Sequence, residues 1–158
     1  YAAVVAWFCK EIQVVTQTKL YKLLFYADYL YFRANAVSLT GALYRKMPYG
    51  PVPVGFNELR SRLEAEDYVT VQERVYQNGN TGEEFALGPK AEAIPYRLVP
   101  EEERVLRFVR DKLGAMTPSK ISDLSHGEKA WQDTPLKGII SYEKALTLSL
   151  ALPDRPAP

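Results

Sequence analysis

Asp123, His126 and Glu128 are the residues whose types and spacing most suggest chemistry. Asp123 and His126 stand three apart, so they share one face if the segment is helical, and Glu128 follows closely. Such a trio could bind a metal weakly or set a general base beside an acid. His126 is the single histidine and Cys9 the single cysteine, so most metal sites and any Ser-His or Cys-His arrangement would rest on one residue. The "HGE" of His126 and Glu128 is superficially similar to the HxE of zinc deaminases, but those need a PCxxC partner that Cys9 cannot supply. A structural reading accounts for the same residues. Ser125-x-x-Glu128 has the form of a capping box, with Trp131 one turn further on as an anchor. On that reading His126 is a structural or interface residue, and this is the favoured assignment.

Asp28 raises a second question, because it interrupts the apolar run KLLFYADYLYF, residues 22–32. A catalytic acid needs a polar cleft and a second titratable group. A structural acid needs only a donor, because a buried carboxylate without one is costly. No companion catalytic set is visible, so Asp28 reads as a buried structural acid. Its candidate donors are a tyrosine hydroxyl, the Trp131 indole, His126 or an amide near YGPVP. Lys22, Tyr26, Tyr29 and Arg33 form a strip of cations and aromatics on the same segment. Such a strip can stack single-stranded bases or anchor a protein interface, and the plainest reading is a solvated helix face. The phosphate-binding patterns GxxxxGK[ST] and GxGxxG and the nucleophile elbow GxSxG do not occur.

These residues need elements to hold them. Apolar periodicity predicts helices over residues 2–15, 18–35, 54–66 and 100–113. The second is apolar almost all round, with Asp28 at the margin, so it should be central. A short strand is predicted over 43–47, after which Pro48, Pro51 and Pro53 should end regular structure. Residues 68–76 and 83–87 flank the turn QNGNTG and read as a hairpin. Shorter helices should follow Thr117-Pro118 and begin at SHGEKAW and SYEKALTLSL. The fold class is therefore α+β, a mainly helical single domain with a central buried helix and a small antiparallel β-hairpin or three-stranded sheet. The domain spans residues 1–152, followed by a Pro-rich tail at 153–158.

Composition narrows the function. Hydrophobic residues make up 47% and charged residues 25%, as in globular proteins, and no apolar run reaches the roughly 18 residues of a membrane span. The 20 basic and 19 acidic side chains leave no basic excess for general phosphate binding. The order helix, strand, turn, strand over 54–87 is similar to a winged helix, the alternative being a nucleic-acid-binding regulator. Its wing tip, however, carries Glu83 and Glu84 and no lysine or arginine. A hydrolase or metal enzyme centred on Asp123, His126 and Glu128 is the third possibility.

TKLYKLLFYADYLYF, SLTGALYRKMPYGPVPVGFNEL, SDLSHGEKAWQDT and ISYEKAL, in this order and spacing over about residues 2–150, resemble the Panacea or SocA-like antitoxin domain. The signature positions carried over are Asp28, Thr40, Gly41, Tyr49, Gly50, Pro51, Val52, Pro53, His126, Glu128 and Trp131. The resemblance implies a cytoplasmic antitoxin of a bacterial or prophage toxin–antitoxin pair. It would neutralise, by direct binding, a toxin encoded by the adjacent gene, with no enzyme activity, cofactor or metal. Family members neutralise diverse toxins, small alarmone-synthetase-like ones included, and the namesake delivers its toxin to the ClpXP protease. Some relatives carry an extra helix-turn-helix domain. No such domain is visible in this sequence, so nucleic-acid binding is expected only if a further segment precedes Tyr1. The expected toxin contacts are the rigid YGPVP loop (Tyr49, Gly50, Pro51, Val52, Pro53), then His126, Glu128 and Trp131, and the exposed strip residues Tyr26, Tyr29 and Arg33.

Overall fold

The second helix, α2 (Gln17–Asn35), explains the rest of the architecture. Thr16 caps it by accepting from the Lys19 amide at 3.2 Å. Among residues 19–30 only Tyr21 is not fully buried, because other elements cover the helix on every side. The structure is a computed structural model and describes residues 1–154; of the Pro-rich tail, residues 155–158 lie outside the described residues.

The elements around α2 are α1 (Ala2–Glu11), α4 (Pro100–Leu113), α5 (Pro118–His126) and two small sheets. Strands β1 (Val15–Thr16), β4 (Val69–Val75) and β5 (Thr81–Leu87) form one antiparallel sheet in the order β1-β5-β4. Val15 and Val71 both lie opposite Phe85, which aligns apolar side chains beneath the sheet. Helix α3 (Phe56–Ala65) leads into β4. The short α6 (Lys129–Gln132) and a 3-10 turn at Tyr142–Thr147 complete the fold. Among the described residues this is the expected α+β class: a mainly helical single domain with a three-stranded sheet and a separate two-stranded hairpin.

Helix α4 shows the local rules at work. Pro100 opens it, Glu101, Glu102 and Glu103 occupy the positive end of its dipole, and the Glu102 carboxylate accepts from the Val99 amide at 2.9 Å. Val105, Leu106, Val109 and Leu113 face the core.

Three expectations need correction. The first helix stops at Glu11, not near residue 15, because Val15 and Thr16 pair with β5. SYEKALTLSL forms a 3-10 turn, not an α-helix. The proline-rich stretch, expected to be irregular, contains strand β3 (Gly50–Pro53), which pairs antiparallel with β2 (Tyr44–Met47). The pairing works because Val54 N–H donates to Leu43 O at 2.8 Å. Alternation along an antiparallel ladder then puts Pro51 and Pro53 where the backbone nitrogen points away from β2, so their missing N–H groups cost nothing.

α2 ends at Ala36, whose φ of 59° is left-handed, with its N–H donating to Phe32 O at 2.7 Å. An L-residue is strained there and glycine is not. Ala36→Gly should therefore stabilise the protein by about 0.5–1 kcal/mol after the added unfolded-state entropy is subtracted. A urea titration that shows a loss instead would contradict this account of the helix end.

Candidate functional site

Two buried carboxylates organise the side of α2 that faces the hairpin. Asp28 is 0% exposed, not at the margin of the core. Its Oδ1 accepts from the Thr40 amide at 2.7 Å, and its Oδ2 from Thr40 Oγ1 at 2.6 Å and the Tyr44 hydroxyl at 2.5 Å. Burial raises its pKa above the ordinary carboxylate value, and the hydrogen bonds from Thr40 and Tyr44 pull it partly back. A tyrosine hydroxyl was among the expected donors. The Trp131 indole instead donates to Met47 O at 3.3 Å.

Glu128 is the second buried acid, 1% exposed. Its Oε1 accepts from the Tyr26 hydroxyl at 2.9 Å and Ser149 Oγ at 2.6 Å, and its Oε2 from the Ser149 amide at 2.9 Å. The expected capping box with Ser125 is therefore not formed. Ser125 lies inside α5 and donates to Ser122 O at 2.7 Å, while the Glu128 side chain turns inward to α2 and the C-terminal segment.

Tyr26 and Tyr29, expected on the surface of α2, are both fully buried. Tyr29 donates to Ile140 O at 2.6 Å and stacks on Tyr142 at 4.6 Å, and Tyr142 donates to Ala42 O at 2.5 Å. Neither Tyr26 nor Tyr29 can offer area to a partner while the fold is intact. Of the strip, only Arg33 is exposed.

Lys22, the fourth member of the strip, is 1% exposed. Among the described residues its Nζ has no hydrogen bond or ion pair, and burial alone lowers its pKa to about 8. It lies at the junction of α2, β3 and α5. A Cβ on Gly50 would meet Ser125 Oγ at 2.5 Å and Lys22 Cε at 2.7 Å, and Gly50 has φ of 107°. The YGPVP loop thus closes over Lys22 because residue 50 has no side chain. Gly50→Ala should destabilise the fold by about 2 kcal/mol, from left-handed strain plus overpacking. An unchanged thermal midpoint would show that this closure is not tight.

His126 and Trp131 sit on the other flank of the hairpin, their rings 4.5 Å apart. Lys46 Nζ lies 4.1 Å above the Trp131 ring, and His126 Nε2 is buried with no hydrogen-bond partner among the described residues. Asp123 is exposed and Glu128 points into the core, so the trio does not converge. Among the described residues no cluster of His, Cys, Asp or Glu could hold a metal ion. Cys9 is held as a thiol, with burial pushing its pKa up to about 12.

At the surface, Tyr49 is 77% exposed at the hairpin tip, Val52 is half-buried, and Gly50, Pro51 and Pro53 are buried beneath them. The fold thus brings the YGPVP loop and the SHGEKAW segment together, while Arg33 stands apart near the C-terminal end of α2. The periodicity of α2 could not identify Lys22 as buried, because its cover arrives from β3 and α5. The one available signal was its position beside Leu23, Leu24 and Phe25.

The family profile described as "Antitoxin SocA-like, Panacea domain" matches residues 20–132, which run from the start of α2 through α6. No curated protein and no solved structure matches the chain.

Proposed function

This chain belongs to the SocA-like Panacea antitoxin family, and from that premise we propose that it neutralises a cognate toxin by direct protein–protein binding. The observation that supports the reading most is how the acids are used. Asp28 and Glu128 have their oxygens occupied by internal donors, so both act as ties between distant segments. Groups spent in this way hold a surface in shape and are not poised for turnover. The rigid YGPVP hairpin, flanked by His126 and Trp131, is the surface so held. The proposed partner is the toxin encoded by the adjacent gene, met in the cytoplasm. Among the described residues no helix is long and apolar enough to cross a membrane.

Co-expression tests the reading. The product of the adjacent gene should arrest growth alone, and this protein should restore growth and co-purify with it. Toxin that stays lethal beside well-folded antitoxin refutes the proposal. The toxin's half-life separates occlusion from delivery to a ClpXP-type protease: delivery shortens it, occlusion leaves it unchanged.

The winged-helix alternative finds less support. Arg60 of α3 is held by Glu64 at 3.1 Å and by Glu83 of β5 at 2.6 Å, and Arg74 lies 3.4 Å from Glu84. The positive charge of that unit is therefore largely neutralised within it, which leaves little attraction for phosphates.

A further inference from the structure

The small hairpin is wider than its two strands. Residues 137–140 run along the free side of β2 and pair with it. Lys46 N–H donates to Gly138 O at 2.9 Å, Lys137 N–H to Lys46 O at 2.8 Å, and Ile140 N–H to Tyr44 O at 2.8 Å. Arg45 therefore lies opposite Val52 on one side and Ile139 on the other.

Register decides what this platform presents. Tyr44, Pro51 and Pro53 point inward and are buried. The alternate positions point outward. They place Ile139, Arg45 and Val52 in one cross-strand row, with Leu43 and Val54 beside it. Leu43 is 51% exposed, Ile139 45% and Val54 42%. Leu43 and Val54 lie opposite each other, about 5 Å apart, and Ile139 and Val52 flank Arg45 across the two ladders, so aliphatic side chains border Arg45 on three sides.

Arg45 is exposed at the centre of this group, and among the described residues its guanidinium makes no ion pair or hydrogen bond. Arg60, Arg74, Arg104, Arg107 and Arg110 each pair with a carboxylate, whereas Arg45, like Arg33 and Arg62, has no ion pair among the described residues; of these three only Arg45 stands between exposed aliphatic side chains of a sheet. Exposed aliphatic side chains grouped around an unpaired guanidinium give this face both apolar area and a free charge to offer a partner. It suits a contact in which a carboxylate arrives with apolar neighbours, is desolvated with them, and accepts two parallel N–H bonds.

We infer that the outer face of this platform, with Arg45 at its centre, is where the toxin docks, through a toxin segment that presents an aspartate or glutamate among aliphatic side chains. The inference rests on the antitoxin reading and gives it a surface and a partner chemistry. It moves the contact from the tyrosines of α2 to side chains that no catalytic or phosphate-binding motif would single out.

The test uses the full chain and the purified product of the adjacent gene, titrated by calorimetry. Arg45→Glu should weaken binding at least 100-fold and Val54→Asp at least tenfold, both with unchanged thermal midpoints because both side chains lie outside the core. Arg33→Glu, on a distant face, should stay within threefold of wild type. Reversing the matching acid on the toxin should restore affinity to Arg45→Glu. Wild-type binding with both hairpin variants within threefold of it overturns the surface and leaves the antitoxin reading standing. Loss with Arg33→Glu alone does the same and relocates the contact to the end of α2. A free protein that sediments as a dimer, dispersed by Val54→Asp, makes the face a self-interface and also overturns the inference. Absence of any wild-type binding or growth rescue defeats the antitoxin reading and this surface together.

Discussion

Asp28→Ala should cost about 3–5 kcal/mol of folding stability. The substitution strands three donors: the Tyr44 hydroxyl in the core and, from the half-buried Thr40, its amide and Oγ1. Each buried donor left without an acceptor costs about 1–3 kcal/mol, and neighbouring losses do not add fully. In a domain of this size that corresponds to a fall in thermal midpoint of roughly 10–15 °C. Asp28→Asn should lose about half as much, because its carbonyl keeps one donor satisfied and its amide can donate to a hydroxyl oxygen. The pair also carries a pH signature. The Asp28 pKa is raised in the fold, so between the ordinary value of 3.8 and the folded value the native state binds more protons than the unfolded chain. Wild-type stability should therefore fall relative to Asp28→Asn as pH rises through that window, and the difference should level off above it. Equal stability of wild type and Asp28→Ala in a urea titration at pH 7 would remove the tie from the account of this fold.

The opposite sign is expected six residues earlier on the same helix. Lys22→Met should stabilise the protein at pH 7 by about 3 kcal/mol. Burial lowers the pKa of this amine from 10.5 to about 8, and each unit corresponds to about 1.36 kcal/mol lost by the charged form in the fold. Methionine fills a similar volume without a charge to desolvate. Below pH 8 the lysine is protonated in both states and the fold carries the whole cost. Between about pH 8 and 10.5 the unfolded chain holds the proton that the native state has released, so wild-type stability rises with pH. The advantage of Lys22→Met should accordingly shrink through that range. Comparing the two proteins at each pH cancels the titration of Cys9 and the tyrosines. A methionine variant that is less stable than wild type at pH 7 would mean that Lys22 has an anionic partner.

Together the two substitutions separate roles that look alike in sequence. Asp28 and Lys22 are both charged residues inside one apolar run, yet the first is saturated with donors and the second has no hydrogen bond or ion pair among the described residues, its Nζ lying 5.9 Å from the Tyr21 ring centre. If the hairpin closes over Lys22 chiefly through shape, removing the amine should tighten that closure. Toxin binding by Lys22→Met should then match or exceed that of wild type.

What the sequence determined is the local part of the answer. Apolar residues almost all round residues 20–32 required a central helix, and α2 is that helix. QNGNTG between alternating segments required the β4–β5 hairpin, and Pro100 followed by three glutamates fixed the start of α4. Motif order also carried the family. Tertiary structure alone decided which polar groups are inside. Periodicity reports one element's own faces, so Lys22, Tyr26 and Tyr29 read as a solvated strip. Their cover comes from β3, α5 and residues 128–142; Tyr26 bonds to Glu128 and Tyr29 to Ile140, 102 and 111 positions away along the chain. The same distance hid the true use of Glu128, whose partners are Tyr26 and Ser149 and not its neighbour Ser125. Propensity placed the prolines outside regular structure; the ladder accepts them because antiparallel pairing leaves alternate backbone nitrogens unneeded. Arg45 acquired meaning only when Val52 and Ile139 came to lie on either side of it, since a side chain's neighbours across a sheet are set by register and not by sequence.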